Sequence, residues 1–336
     1  MPRAKTTVNL RGATRACKPV IDLHFHGLFG IDLMVASSDE LDELGRRLWS
    51  SGVHAFAPTT LSQPLGLLEP ALRRLGAWIQ TQWKTGPKKG SAFPVGIHLE
   101  GPFLAASCCG AHPPEHLIDP SLKLLKKWWE VSGHTLARLT LAPERGKASE
   151  IKKILTWTRK HHISLSLGHS QATLEQALGF HRAGIRQLTH AWNAMPFHHR
   201  NPGILGAFLG KKDTFIELIP DGVHVSPEVT SWTQKLHPEG VFFVSDGVPA
   251  GMHGPSSLGN LQITWSPGDR VCRTESGVLA GGAVPLSTLL ATLLATFVAK
   301  PAGKLVWDTP WQALGLSPKR LGWKRRIERL VGRRAR

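Results

Sequence analysis

Cysteine is scarce in this 336-residue chain. The four present, Cys17, Cys108, Cys109 and Cys272, make no disulfide framework, and none stands in a C-x-x-C metal spacing. That usage points to a reducing, cytoplasmic compartment. Long apolar runs are also missing. The longest uncharged stretch, 276–299, contains Gly281, Gly282 and Pro285 and leaves LSTLLATLLATFVA, short for a bilayer and suited to a buried helix. The N-terminus is basic but lacks the apolar core of a secretory leader. Glycine and proline follow no triplet period, which excludes collagen. Tyrosine is absent and tryptophan occurs 12 times, a usage from which no mechanism follows. Acids are few: 24 Asp and Glu stand against 41 Lys and Arg, for a formal charge of +17. Residues 1–20 hold +5 of this and residues 319–336 hold +8, so the body carries only +4. The excess describes two basic ends, a segment 1–18 and a tail 319–336, and gives the body no specific nucleic-acid partner.

What is present is a globular body with 41% hydrophobic and 19% charged residues, enough to bury a large core. Eight short apolar runs recur between 20 and 247: VIDLHFH, HAFAPTT, VGIHLEG, RLTLAPE, ISLSLGH, QLTHAWN, FIELIPDGVH and VFFVSDG. Segments of helical spacing separate them, such as DELDELGRRLWSSG (39–52) and TLEQALGFHRAG (173–184), each closing on glycine as a helix C-cap does. Continuous apolar strands alternating with helices imply a parallel sheet covered on both faces, and eight such units imply an α/β fold of the (β/α)8 barrel type over 19–318. The stretch NLQITWSPGDRVCRTESGVL breaks the alternation and predicts a β-hairpin near 255–280, turning at Pro267-Gly268.

The chemical residues fall at strand ends. His24 and His26 close the first run, Glu100 the third, His169 the fifth, His190 the sixth and Asp246 the eighth. A barrel gathers these C-terminal ends at one mouth. His24 and His26, two apart on a strand, face the same way. Each alone has an ordinary structural reading as a hydrogen-bonded histidine or turn acceptor. Four imidazoles and a carboxylate at one mouth instead suit Zn²⁺ or Fe²⁺. Asp246 beside such an ion can take a proton from water and return it to a leaving amine.

The segments GIHLEGPFL and GAHPPEHL (96–117), SLGHSQAT (166–173), THAWNAMPFHHRNPGILGA (189–207), IPDGVHVSPE (219–228) and VSDGVPAG (244–251) resemble the N-acetylglucosamine-6-phosphate deacetylases of the amidohydrolase superfamily, from about 19 to 317. The resemblance implies a metal-dependent hydrolase that removes acetate from a phosphorylated amino sugar, working as a homodimer. It places one ion on Glu100, His169 and His190, and a second on His24 and His26. It makes Asp246 the general base and acid. It sends His112 to the acetamide or sugar hydroxyls, and Asn193, Ala194, Arg200 and His224 to the phosphate. It lays Leu279, Ala280 and Gly281 over the acetyl group. Family members also carry a small β-domain that is largely missing here: 23 residues precede His24, and a basic helix-like segment takes the place of the closing strands. Two other readings stay open: an amidohydrolase acting on a different or non-phosphorylated N-acyl amino sugar, and a non-enzymatic scaffold binding nucleic acid or anionic membrane through its basic ends.

Overall fold

A computed structural model describes residues 19–250, 256–294 and 302–332. The basic segment 1–18, the first residue of the expected hairpin and the last four residues of the basic tail lie outside the described residues. All eight apolar runs form strands. They are β1 (Ile21–Phe25), β2 (Ala55–Thr60), β3 (Ile97–Glu100), β4 (Leu136–Leu141), β5 (Ser164–Leu167), β6 (Gln187–Leu188), β7 (Phe215–Leu218) and β8 (Val241–Phe243). Each pairs in parallel with the next in chain order. Just past β8 the chain returns to β1: Asp246 N donates to His24 O at 3.0 Å and His26 N to Gly247 O at 2.7 Å. These bonds bring the last strand back beside the first and close the barrel at the mouth.

The helices start and stop where their local chemistry dictates. α1 (Ser38–Ser51) opens on a capping box between Ser37 and Glu40 and closes on Gly52 at φ 98°. The remaining helices between strands are α2 (Leu65–Thr85), α3 (Leu122–Val131), α4 (Ala148–Lys160), α5 (Leu174–Ala183), α6 (Gly203–Phe208) and α7 (Pro227–Leu236). α5 repeats the capping device, with Thr173 and Gln176 at its start and Gly184 at φ 111° at its end.

The expected hairpin is the middle of something larger. Strands β9 (Ser256–Leu258), β10 (Leu261–Thr264), β11 (Val271–Thr274) and β12 (Leu279–Gly282) form an antiparallel meander. Pro267-Gly268 lies in the β10–β11 turn, as the sequence suggests, with Gly268 at φ 95°. The outer strands read SSL and LAGG, too short and too small-residued to show a strand pattern. β12 reaches the mouth because Gly282 N donates to Asp246 O at 2.7 Å. A Cβ on Gly281 would lie 2.5 Å from that same carbonyl oxygen, so only glycine permits the approach.

After α8 (Leu286–Leu294) come a π-helical turn (Lys304–Asp308), α9 (Thr309–Leu314) and α10 (Pro318–Leu330). α10 occupies most of the basic tail and is packed, not free. Trp323 sits against Trp83 and Phe93 with ring centroids 5.0 and 5.1 Å apart, and Ile327 is fully buried. Arg320 donates to the carbonyl of His162 at 3.1 Å. Phe93 lies in a two-residue strand (Phe93–Pro94) that pairs with the start of β2 ahead of β3, and His162 precedes β5, so α10 covers the end of the barrel opposite the mouth. Its buried face holds only a few large apolar residues among many cations, which hides it from a reading of composition. Removing the Ile327 side chain should cost about 2–5 kcal/mol, the usual range for a fully buried aliphatic. Urea unfolding of Ile327→Ala checks this; an unchanged midpoint would mean α10 is only loosely attached.

Candidate metal centre and active site

Three mouth residues adopt a backbone that non-glycine residues rarely take: His169 at φ 49°, His190 at φ 29° and Asp246 at φ 50°. Each lies two or three residues past the end of a strand, and the left-handed turn throws its side chain across the mouth. Such conformations persist where surrounding structure holds them, and they concentrate at functional sites.

Glu100 is the hub. Its Oε1 lies 3.3 Å from His169 Nε2 and 3.2 Å from His190 Nε2. Its Oε2 lies 3.1 Å from both His24 Nε2 and His26 Nε2. Asp246 Oδ1 stands 3.2 and 3.3 Å from the same two nitrogens. Facing Nε2 atoms are 3.2 Å apart for His24 and His26 and 2.9 Å apart for His169 and His190. A single N–H between two imidazoles could account for one such contact, but four Nε2 atoms and two carboxylates converge here. Ligands about 2.0–2.1 Å from a tetrahedral ion would be roughly 3.3 Å apart, which these spacings match closely.

The tautomers agree. His169 Nδ1 lies 2.8 Å from Cys108 O, which can only accept, so Nδ1 carries the proton and Nε2 offers a lone pair. His24 Nδ1 lies 2.8 Å from Glu217 Oε1 and follows the same logic. His112 is the reverse. The backbone N–H of Ser62 donates to its Nδ1 at 3.2 Å, so the neutral ring carries its proton on Nε2. Burial pushes its pKa down to about 4, which keeps the ring neutral. His112 is therefore a donor aimed at the mouth, 3.4 Å from Glu100 Oε2.

Electrostatics favours a cation. Burial opposes charge on His24, but Glu100, Asp246 and Glu217 outweigh it and hold its pKa well above the ordinary range. Burial would raise the Asp246 carboxyl; the His24 and His26 imidazoles overcome this and hold it well below the usual carboxylate range. Burial likewise works against charge on Glu217, while Arg138 and His24 bring it down to about 2. Arg138 offsets Glu217, which leaves two carboxylate charges, on Glu100 and Asp246, for a divalent ion to balance.

The mouth opens on a cavity of about 270 Å³ lined by His26, Glu100, His112, His169, His190 and Asp246 together with Asn193, Ala194, His224, Leu279 and Ala280. His24 lies fully buried beneath it. His224 is fixed by Asp221, whose carboxylate accepts from its Nδ1 at 2.5 Å and from its backbone N at 2.8 Å. Two expected residues are elsewhere. Arg200 is exposed, its guanidinium 3.3 Å from His199 Nε2, and does not line the cavity. Gly281 lies beside Asp246 and serves the approach of β12, with no face on the cavity. Sequence reasoning missed Glu217, Arg138 and Ser62. The first two had a signal, a lone charge inside an apolar strand run; Ser62 had none.

No protein-family model matches the chain. It is similar to an N-acetylgalactosamine-6-phosphate deacetylase of Escherichia coli O157:H7, at 36% identity over 281 residues, 83% of this chain and 72% of that protein. It is 33% identical over 320 residues to an N-acetylglucosamine-6-phosphate deacetylase of Bos taurus, covering 89% of this chain and 74% of that one. Among solved structures, an N-acetyl-D-glucosamine-6-phosphate deacetylase variant from Mycobacterium smegmatis, in complex with N-acetyl-D-glucosamine-6-phosphate, superposes with a TM-score of 0.79 at 25% identity, over 89% of this chain and 77% of that one. Identity of one residue in three, sustained along the same barrel over most of both chains, goes beyond a shared fold, and the chain belongs to the N-acetylglucosamine-6-phosphate deacetylase family.

Proposed function

We propose that this protein hydrolyses the acetamide of N-acetylglucosamine 6-phosphate to glucosamine 6-phosphate and acetate. The observation that carries the reading is the single cavity in which the imidazole–carboxylate cluster, His112 and His224 meet. Glu100, His169 and His190, which converge at 3.2–3.3 Å, would hold one divalent ion, and His24, His26 and Asp246 a second, with zinc the best match to this donor set. When bound, such ions polarise an amide carbonyl and lower the pKa of water. Asp246 then takes the proton of the attacking water and returns it to the amine nitrogen as the C–N bond breaks. The His112 Nε2–H donates to the acetamide oxygen or a sugar hydroxyl. Asn193, Ala194 and His224 face the sugar phosphate, and Leu279 and Ala280 cover the acetyl methyl.

A cytoplasmic enzyme fits the three unpaired cysteines among the described residues. The reading includes a homodimer, the state in which an arginine outside its own cavity can serve a neighbour's. A different N-acyl amino sugar has one observation in its favour, the N-acetylgalactosamine-6-phosphate deacetylase at 36% identity. Acetate release from the two phosphorylated epimers and from plain N-acetylglucosamine decides among these, with metal content measured on the same sample. Faster turnover of the plain sugar would overturn the proposal.

Arg200 gives a sharper test. A charge-assisted bond to phosphate is worth roughly 1.5–3 kcal/mol. Arg200→Ala should therefore lower kcat/KM for the phosphorylated sugar by about 10–150-fold and leave the plain sugar nearly unchanged. Equal loss on both sugars would assign Arg200 to the fold. Sedimentation of the same variant shows whether dimerisation was lost with it.

A further inference from the structure

Beneath the mouth lies an ion pair that the reaction does not touch. Glu217 on β7 and Arg138 on β4 are both fully buried and joined through Arg138 Nη1 and Glu217 Oε2. Arg138 Nη2 also donates to Ser166 Oγ at 3.2 Å. A buried pair of this kind contributes little net stability, because desolvation consumes most of the attraction. Its other contacts suggest why it is there. Glu217 Oε1 lies 2.8 Å from His24 Nδ1 and accepts from the backbone N–H of His190 at 3.0 Å. By contrast, the Nδ1 atoms of His26 and His190 are buried without a partner, and that of His169 meets only a carbonyl. Of the four cluster histidines, His24 alone is backed by a carboxylate.

We infer that Glu217 is a positioning residue for His24: it holds the ring as the Nδ1–H tautomer, so that the Nε2 lone pair faces Glu100 and Asp246, while Arg138 fixes the carboxylate in place. A histidine whose rear nitrogen is held by a carboxylate is oriented and made more basic as a ligand. The inference rests on His24 acting as a ligand, as proposed above. It makes the His24/His26 half of the centre depend on Glu217 more than the Glu100/His169/His190 half does.

Two double variants separate positioning from support of the fold. Arg138→Met with Glu217→Gln removes the charged pair but keeps an oxygen that accepts from His24 Nδ1. Arg138→Met with Glu217→Leu removes that oxygen as well, at similar volume. ¹⁵N-histidine NMR reads the His24 tautomer, and zinc titration with elemental analysis reads the ions. The Gln pair should keep the Nδ1–H tautomer. The Leu pair should lose it and bind the ion of the His24/His26 half about 10–100-fold more weakly, with a smaller loss at the other half, where only the backbone N–H of His190 loses its acceptor. Equal behaviour of the two doubles, whether both intact or both impaired, overturns the inference. A wild-type protein that holds a single ion would sink the two-ion reading, and the tautomer contrast would still decide the role of Glu217.

Discussion

Replacing Glu100 by alanine is expected to empty both ligand groups at once and to lower acetate release by about 10³-fold or more. The expectation follows from the two oxygens of one side chain. Oε1 faces His169 and His190, while Oε2 faces His24 and His26, all at 3.1–3.3 Å. Among the described residues, no other carboxylate faces the Nε2 atoms of both groups. Losing it removes a ligand from each half and one of the two charges left to balance a cation. A bound divalent ion supplies several kcal/mol of transition-state stabilisation, and each 1.36 kcal/mol is tenfold in rate. His190→Ala, by contrast, should lose the ion on one half only. Elemental analysis of both variants beside the wild type is the measurement. Glu100→Ala protein that still binds metal at wild-type stoichiometry would show that the imidazoles suffice and that Glu100 is not the hub.

Asp246→Asn should separate binding from chemistry. The amide oxygen can still face His24 and His26, so metal content should stay near that of the wild type. The amide cannot accept the proton of the attacking water or deliver it to the leaving amine. Turnover should therefore fall by at least ~10²-fold, the usual scale for a lost general acid–base. The effect belongs in kcat, since the cavity keeps its shape. Asp246 is well placed for the role: its left-handed backbone aims the side chain over the ligand cluster, and the imidazoles beside it keep the carboxyl ionised. Near-full turnover in this variant would hand the proton to another group.

The sequence by itself determined the architecture and which residues meet at the mouth. Apolar runs long enough to bury both faces fixed the parallel strands, and helices that end on Gly52 and Gly184 fixed the returns between them. Once eight such units close, the residues that end the strands must converge, so His24, His26, Glu100, His169, His190 and Asp246 were legible before any coordinates. Tertiary structure alone decided the rest, because it depends on which distant groups share a dielectric and a distance. Glu217 becomes the partner of His24 only when β7 and β1 line one barrel, 193 residues apart in the chain. The proton positions on His112 and His24 follow from Ser62 and Glu217, neighbours that no periodicity reveals. Arg200 carries the charge a phosphate needs, yet its loop leaves it outside the cavity of its own chain. The basic tail became a packed helix because Trp323 and Ile327 find Trp83 and Phe93, and local composition cannot show which surface awaits an apolar side chain.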